Sequence, residues 1–308
     1  MKQTFSKRIA SLWSNPLQLF AALTRKGFFA RMDDEKYLRL LYRGAMGREL
    51  HLNPPVLYSE KIQWLKLYDK NPIYPLLSDK YAVRDFVRER VGEEYLIDLY
   101  GVWDDPGEID FAKLPEQFVL KCTHDSGSAI VCRDKSAFDQ EAAKQKLKQR
   151  LVKDYSVAGR EWPYHDVPRR VIAEEYLARV DGTRVLEFKF FCFHGSAQFL
   201  LVRTNEREHD SDNLTFLRDF TRFQIYRYKF AGSEHLTVEK PGNYEEMIRI
   251  AERLSEGFPH IRVDLYDTPK GIRFGEQTLY NASGLSQYMT MEGDRFLGDL
   301  LRLENAGS

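Results

Sequence analysis

The sequence predicts an α+β protein whose sheets are mostly antiparallel. Apolar strand patterns pair around short turns at two places, 185–193 with 197–203 and 261–266 with 271–280. An apolar repeat at helical spacing covers residues 244–258, between these two pairs. Strands joined by a turn such as His194-Gly195-Ser196 pair antiparallel, and a helix between such hairpins is typical of α+β folds.

Proline-containing breaks divide the 308-residue chain near residue 75. Residues 1–75 carry helical patterns at 34–42 and 60–68 and are interpreted as a helical N-terminal extension. Residues 76–308 form the predicted main body. Ahead of its hairpins, the body shows helical patterns at 83–91 and 139–154 and strand patterns at 95–102, 118–121 and 171–177.

The charge balance argues against a general nucleic-acid binder. The chain has 46 Lys and Arg against 46 Asp and Glu, so it lacks the basic surplus that neutralises phosphates. Its three cysteines form no CxxC pair, which favours reduced thiols in a cytoplasmic protein. The sequence lacks the run of about 20 apolar residues that predicts a transmembrane helix.

The first 31 residues are basic and amphipathic, with six Lys or Arg and no acid. They lack the compact apolar core and the cleavage site of a signal peptide. Two interpretations stay open. In the first, residues 1–31 contact the inner face of a membrane peripherally. In the second, their apolar stripe, which is interrupted by Pro16, packs on the main body.

A pair of acids in the last predicted hairpin is the first chemical pattern. Asp264 lies in one strand and Glu276 in its partner, so the turn at 267–270 brings the two side chains near one another. Two neighbouring carboxylates suit Mg²⁺, with phosphates completing its ligands. The alternative is a cross-strand charge set with Arg262 and Arg273 at a solvated sheet edge.

Three lysines are candidates for phosphate binding. Lys121 ends an apolar strand and precedes the small-residue loop 122–128, whose N–H groups could cradle phosphate oxygens. Lys80 begins a helix, and Lys189 stands among aromatic residues in the middle of a strand. Each of them could equally be a surface charge with a buried stem.

The tetrapeptide Glu174-Glu175-Tyr176-Leu177 follows an apolar strand. A carboxylate at this place could accept a hydrogen bond from an adenine amino group, while the backbone contacts the edge of the ring. Acids at strand ends are common, so the pattern alone does not decide for a nucleotide.

Taken in order, these patterns resemble the ATP-grasp fold. The resemblance is closest to the teichuronopeptide-biosynthesis (TupA-like) branch, which is associated with cell-surface polysaccharides, and it covers residues 77–288. The strings that carry it are Ser78–Arg84 (SDKYAVR), Phe118–Lys121, Ile172–Leu177, Phe188–Gly195 (FKFFCFHG), Arg262–Asp264 and Phe274–Thr278 (FGEQT). The resemblance implies two α+β subdomains that sandwich ATP.

The resemblance also implies a role for each matching residue. Lys80, Lys121 and Lys189 would contact the phosphates, and Arg262 would stabilise the oxyanion of a tetrahedral intermediate. The remaining implied groups are Ser126, Gly127 and Ser128 in the loop over the phosphates, Glu174, Glu175, Tyr176 and Leu177 at adenine, Asp181 at the ribose, and Asp264 and Glu276 at Mg²⁺.

The chain departs from the ligases of this superfamily at one metal position. They carry Asn two residues after the metal-binding Glu, whereas this chain has Thr278 there and its nearest Asn is Asn281. A second metal ion would therefore be held by Thr278 more loosely, or by Asn281.

The resemblance implies an ATP- and Mg²⁺-dependent carboxylate–amine ligase that forms an amide through an acyl phosphate. The acceptor would be a uronic acid or acidic peptide of a cell-surface polysaccharide, and the amine an amino acid or other small amine. The alternatives are a glycan kinase, a glycosyltransferase that uses the DxD string Asp210-Ser211-Asp212, and a nucleotide-binding scaffold without turnover.

Overall fold

The computed structural model describes residues 29–178, 185–203, 213–228 and 232–303. These residues divide into two compact units. The helical unit comprises residues 29–71, 155–162 and 280–303, and the sheet unit comprises the described residues of 72–154 and 163–279. The helix predicted over 1–31 lies outside the described residues, except for 29–31, which form a turn.

The described helices are, in chain order, α1 (Asp34–Met46), α2 (Tyr58–Tyr68), α3 (Tyr74–Ser78), α4 (Val83–Arg90), α5 (Gln140–Leu151), α6 (Ser156–Gly159), α7 (Tyr244–Ser255) and α8 (Met291–Leu300). The described strands are β1 (Leu99–Trp103), β2 (Phe118–Cys122), β3 (Ile130–Cys132), β4 (Val171–Glu175), β5 (Leu186–Phe193), β6 (Ser196–Arg203), β7 (Asn213–Leu217), β8 (His260–Thr268) and β9 (Gly271–Thr278). No described helix combines the length and the apolar composition needed to cross a bilayer.

Capping and one buried acid organise the helical unit. Helix α1 begins where Asp33 accepts a hydrogen bond from the Lys36 N–H (3.0 Å) and ends at Gly47, whose φ of 70° is left-handed. In α8, the buried Asp294 accepts hydrogen bonds from the Ser59 N–H and hydroxyl, each at 2.7 Å. These bonds join the start of α2 to α8.

The sheet unit contains two antiparallel sheets, which confirms the predicted α+β class. The strand order is β1-β4-β2-β3 in the first sheet and β7-β6-β5-β8-β9 in the second. Helix α5 packs Ala143 and Leu147 against the core of the first sheet. Helix α7 covers the second sheet with the apolar stripe that its sequence predicts, including Met247, Ile250, Ala251 and Leu254.

Both predicted hairpins form, and the first turn shows why. His194 and Gly195 adopt φ values of 50° and 78°, the left-handed pair that lets a two-residue turn follow the twist of its strands. Strands β5 and β6 consequently pair from Glu187–Arg203 down to Phe193–Ser196.

The predicted boundaries are wrong in places. The strand expected over 95–102 is a short 3₁₀ turn at Glu93–Tyr95 followed by β1, and the strand expected over 171–177 ends at Glu175. Sequence analysis also missed β3 and β7, and β3, with three residues, is too short to show an alternating pattern.

A buried histidine makes the stability of the second sheet depend on pH. His260 stacks on Phe193 with 4.7 Å between ring centroids, and its Nδ1–H donates to the Cys192 carbonyl (2.9 Å). Burial lowers the pKa of His260 to about 4. Between pH 7 and pH 5 the unfolded chain therefore takes up a proton that the folded chain does not, and the free energy of unfolding falls as the pH falls.

We expect this histidine to remove about 2 kcal/mol of stability between pH 7 and pH 5. The variant His260→Gln keeps a hydrogen-bond donor but has no titrating group. Urea titration at both pH values measures the free energy of unfolding. Its decrease from pH 7 to pH 5 should be about 2 kcal/mol smaller in the variant than in the wild type. An equal pH dependence in the two proteins would contradict this account.

Candidate active site

A cleft of about 400 Å³ in the sheet unit collects most of the predicted site residues. This volume is within the usual range for small-molecule sites. Eleven predicted residues line it: Lys80, Lys121, Ser126, Gly127, Ser128, Glu174, Glu175, Tyr176, Leu177, Lys189 and Glu276. Lys121 and Glu276 belong to different sheets and lie on the same cleft, so the separate cationic and acidic patterns of the sequence meet in space.

The loop after β2 is held close to Lys80. The Lys80 N–H donates to the Thr123 carbonyl (3.1 Å), and the Lys80 ammonium donates to the Asp125 carbonyl. At the other end of the loop, the Ser128 hydroxyl accepts a hydrogen bond from the Cys122 N–H (2.9 Å). Gly127 between them has a φ of 77°, where another residue would be strained.

A buried carboxylate orients the segment that carries Lys80. Asp79 is 1% exposed, and its Oδ1 accepts from the Tyr81 N–H (2.8 Å). Its Oδ2 accepts from Arg170 (2.8 Å), whose guanidinium also lies over the Tyr81 ring. Sequence analysis did not find the Arg170 partner, because it lies 91 residues away along the chain.

Glu174 is the counter-ion of Lys121 in this structure. The Lys121 ammonium lies 2.5 Å from Glu174 Oε2, and Arg84 approaches Glu174 Oε1 at 3.7 Å. Glu174 is buried within the first sheet, opposite Val119 of β2. The carboxylate therefore fixes a lysine of the cleft, while its predicted role at adenine stays a prediction.

The segment after β4 forms another wall of the cleft. Glu175 accepts a hydrogen bond from Lys270 (2.6 Å), which lies in the β8–β9 turn. The ring of Tyr176 lies under the Arg133 guanidinium at 5.9 Å. Asp181, the candidate for the ribose, lies outside the described residues.

The acid pair is a direct cross-strand pair. Asp264 of β8 stands opposite Glu276 of β9, and Arg262 bonds to both. Arg262 Nε lies 2.6 Å from Asp264 Oδ1, and its Nη2 lies 2.7 Å from Asp264 Oδ2 and 2.9 Å from Glu276 Oε1. The cross-strand charge set with Arg262, predicted as the alternative, is therefore present. Its predicted solvated setting is wrong at Asp264, which is fully buried, and Arg273 bonds to the Ile272 carbonyl (2.9 Å).

Lys189 joins the same network from β5. Its ammonium contacts Asp264 Oδ2 and lies 2.8 Å from Glu187 Oε2. Glu187 also accepts a hydrogen bond from the Tyr266 hydroxyl (3.1 Å) and lines the cleft. Sequence analysis missed Glu187, although its position two residues before Lys189 in a strand places both side chains on one face.

The surrounding cations set the charge state of Glu276. Desolvation alone would raise the pKa of this carboxyl, but the charges of Arg262, Lys189, Lys80 and Lys121 outweigh it and lower the pKa to about 2. Burial lowers the pKa of Lys80. Glu276 is therefore ionised throughout the neutral range.

The donor set of the acid pair fits a hard divalent ion. Asp264 and Glu276 supply carboxylate oxygens on one sheet face, and the Thr278 hydroxyl lies 3.5 Å from Glu276 Oε1. Within the described parts of the chain, no three His, Cys, Asp or Glu side chains are grouped to hold a metal. Mg²⁺ commonly binds one or two carboxylates and completes its ligands with phosphate and water. Asn281 belongs to the helical unit, and its predicted role as a ligand stays a prediction.

The arrangement of three lysines, a small-residue loop and Glu276 around one cleft agrees with a comparison to known families. The family model described as TupA-like ATPgrasp matches residues 60–302 of the chain. The chain belongs to this family. The match confirms the resemblance that the sequence motifs carry, and the TupA-like assignment extends from α2 to α8.

Among solved structures, this TupA-like chain is similar to two ligases and a synthetase. They are D-alanine–D-alanine ligase from Bacillus anthracis with ATP (14% identity, 73% of this chain and 61% of that chain, TM-score 0.41), L-amino acid ligase from Bacillus licheniformis (13%, 90% and 64%, 0.47) and D-cycloserine synthetase DcsG (16%, 89% and 81%, 0.40). The chain thus spans less than two thirds of the length of the two Bacillus ligases. No curated protein matches it.

We expect Lys121→Ala to weaken ATP binding at least about tenfold, because a charge-assisted contact to phosphate is lost. Isothermal titration with ATP and Mg²⁺ measures the change. Lys113→Ala is the matched control, since Lys113 is 84% exposed and pairs only with its neighbour Asp110 among the described contacts. Equal affinities in the wild type and Lys121→Ala would place Lys121 outside the binding site.

Proposed function

We propose that this protein is an ATP- and Mg²⁺-dependent ligase that joins a carboxylate to an amine. The observation that carries the proposal is the meeting of Lys121, from the first sheet, and Glu276, from the second, on one cleft. Membership of an ATP-grasp family supports the same conclusion.

The proposed reaction has two steps. A carboxylate oxygen attacks the terminal phosphorus of ATP, the bond to the bridging oxygen breaks, and ADP leaves with an acyl phosphate formed. The amine nitrogen then attacks the acyl carbon, phosphate departs with the bonding electron pair, and one proton leaves the nitrogen. Activation is needed because a free carboxylate has no good leaving group.

The residues of the cleft divide this work by charge. Lys80 and Lys121 hold the phosphates from two sides, with the loop that contains Ser126, Gly127 and Ser128 beside them. Glu276, which lines the cleft, and Asp264, buried beside it, would hold Mg²⁺, which would neutralise phosphate charge. The chemistry requires positioning and electrostatics rather than a protein nucleophile.

Two cations act close to the acid pair. Arg262 fixes the orientation of both carboxylates and is proposed to stabilise the oxyanion that forms when the amine attacks. Lys189 lies between Glu187 and Asp264, and we propose that its ammonium turns from Asp264 to a phosphate oxygen when the nucleotide binds.

The apolar part of the cleft lining suits adenine. It includes the side chains of Ile97, Val119, Val131, Leu177 and Val185. They offer apolar contact to the ring, while the backbone after β4 can pair with the edge of the ring. Glu174, Glu175 and Tyr176 complete this wall, and Asp181 is proposed for the ribose.

The substrate class is proposed from the resemblance to the TupA-like branch. We propose a uronic acid or an acidic peptide of a cell-surface polysaccharide precursor as the acceptor, and an amino acid or other small amine as the donor. A cytoplasmic enzyme, held at the inner membrane face by residues 1–31, would reach such a precursor. The balanced charge of the chain supports a partner other than nucleic acid.

One observation favours a second candidate, a nucleotide-binding scaffold without turnover. Thr278 stands where the ligases carry Asn, and a hydroxyl is a weaker metal ligand than an amide carbonyl. Such a scaffold would bind ATP and release no ADP. The DxD string at 210–212, on which a glycosyltransferase would depend, lies outside the described residues.

Asp264→Asn and Glu276→Gln should abolish Mg²⁺-dependent ADP formation, because each removes one of the two charges proposed to hold the ion. A coupled ADP assay measures the loss, and circular dichroism checks the fold. Asp110→Asn, an exposed acid on a surface turn, is the control and should keep full activity. Normal turnover in both test variants would remove the metal assignment.

The substrate proposal predicts ADP release only with certain pairs of substrates. We expect ADP and phosphate when a uronic acid or acidic peptide and an amino acid are supplied together with ATP and Mg²⁺. A screen that crosses uronic acids with amino acids measures both products. ATP binding without ADP release from any pair would favour the scaffold, and stabilisation against heat by UDP-sugars with Mn²⁺ but not by ATP with Mg²⁺ would favour a glycosyltransferase.

A further inference from the structure

The loop beside the cleft is anchored by a residue to which neither the sequence motifs nor the proposed reaction assigns a role. Arg150, in the last turn of α5, donates from Nε to Asp125 Oδ2 (2.7 Å) and from Nη2 to the Ser126 carbonyl. One guanidinium thus bonds to two consecutive residues of the loop. Ser126 and the next two loop residues line the cleft.

Helix α5, which carries Arg150, is held in place by packing. Leu147, three residues earlier, is fully buried against the core of the first sheet. Residues three apart on a helix share a face, so the packing of Leu147 also directs Arg150 towards the side of the helix that faces the first sheet. The loop is therefore tied to a packed helix as well as to its own strand.

In the pair of Arg150 with Asp125, the partner from the loop is the more deeply buried. The Asp125 side chain is 4% exposed and that of Arg150 is 27% exposed. The second carboxylate oxygen, Asp125 Oδ1, is buried and has no hydrogen-bond partner among the described residues. Among the described residues, Arg150 is thus the cation that bonds to the Asp125 carboxylate, since the Lys80 ammonium contacts the carbonyl of Asp125.

We propose that Arg150 is a positioning residue that holds the loop 123–128 in the shape that receives the β- and γ-phosphates of ATP. The inference rests on the proposed function and deepens it. Lys80 fixes the loop from one side through the Asp125 carbonyl, and Arg150 fixes it from the other through the Asp125 carboxylate and the Ser126 carbonyl. A loop ordered in advance loses less conformational entropy when phosphate binds.

A nucleotide series separates this role from a purely structural one. AMP lacks the two phosphates that the loop is proposed to receive. In Arg150→Gln the affinity for ATP with Mg²⁺ should fall at least about tenfold, whereas the affinity for AMP should stay within about twofold of the wild type. Isothermal titration of the full chain with ATP, ADP and AMP measures both values. Arg150→Lys, which restores the charge but not the paired hydrogen bonds, should recover part of the ATP affinity.

Two further variants keep the test decisive. Arg150→Gln leaves a buried carboxylate without its counter-ion, which can destabilise the fold. The double variant Arg150→Gln with Asp125→Asn removes both charges and so avoids an unpaired buried carboxylate. It should show the same selective loss of ATP affinity. Lys148→Gln is the matched control, because Lys148 lies on the same helix in an exposed pair with Asp105, and it should keep both affinities.

The outcomes are distinct. Equal losses of ATP and AMP affinity, or unchanged ATP affinity in the folded double variant, would overturn the role of Arg150 while leaving the proposed function in place. A wild-type chain that binds no ATP would reject the proposed function and this inference together.

Discussion

The candidate site depends on one buried interaction, the pairing of Arg262 with the carboxylates of Asp264 and Glu276. Two carboxylates placed opposite each other on neighbouring strands repel, and the full burial of Asp264 strengthens this repulsion. The guanidinium balances this repulsion, so β8 and β9 can pair at the register that sets the acids side by side. Removing one partner from such a buried pair typically costs about 3–5 kcal/mol. Arg262 therefore stabilises the fold, whatever its proposed part in the chemistry.

The same principle repeats around the cleft, where four further charged groups in or beside the lining have a charged partner. Lysine and arginine side chains carry about 2 kcal/mol of rotamer entropy each, and a fixed counter-ion reduces what binding must still order. The supporting pairs, each formed within the sheet unit, are Lys121 with Glu174, Lys189 with Glu187, Asp125 with Arg150 and Asp79 with Arg170.

The sequence predicts the residues that face the cleft better than the residues that hold them. Strand alternation and a short turn suffice to place Asp264 beside Glu276, and the order of the motifs suffices to bring Lys121 to the same cleft. The partners Arg150 and Arg170 lie 25 and 91 residues from the acids they hold, and no local pattern marks such a pairing. Glu187 is different, because its spacing from Lys189 was a local signal that sequence analysis overlooked.

A cleft whose cations are already paired also discriminates between ligands. In the proposed reaction, Lys121 would exchange its contact with Glu174 for contact with a phosphate, and Lys189 would exchange its contact with Asp264. A ligand with a single phosphate would offer one dianion in exchange for both ion pairs. A triphosphate with a divalent ion would offer more, because phosphate oxygens would become the partners of both lysines and the ion would take the place of Lys189 at Asp264. If the proposed function holds, this pairing would favour the nucleotide and the metal together over either one alone.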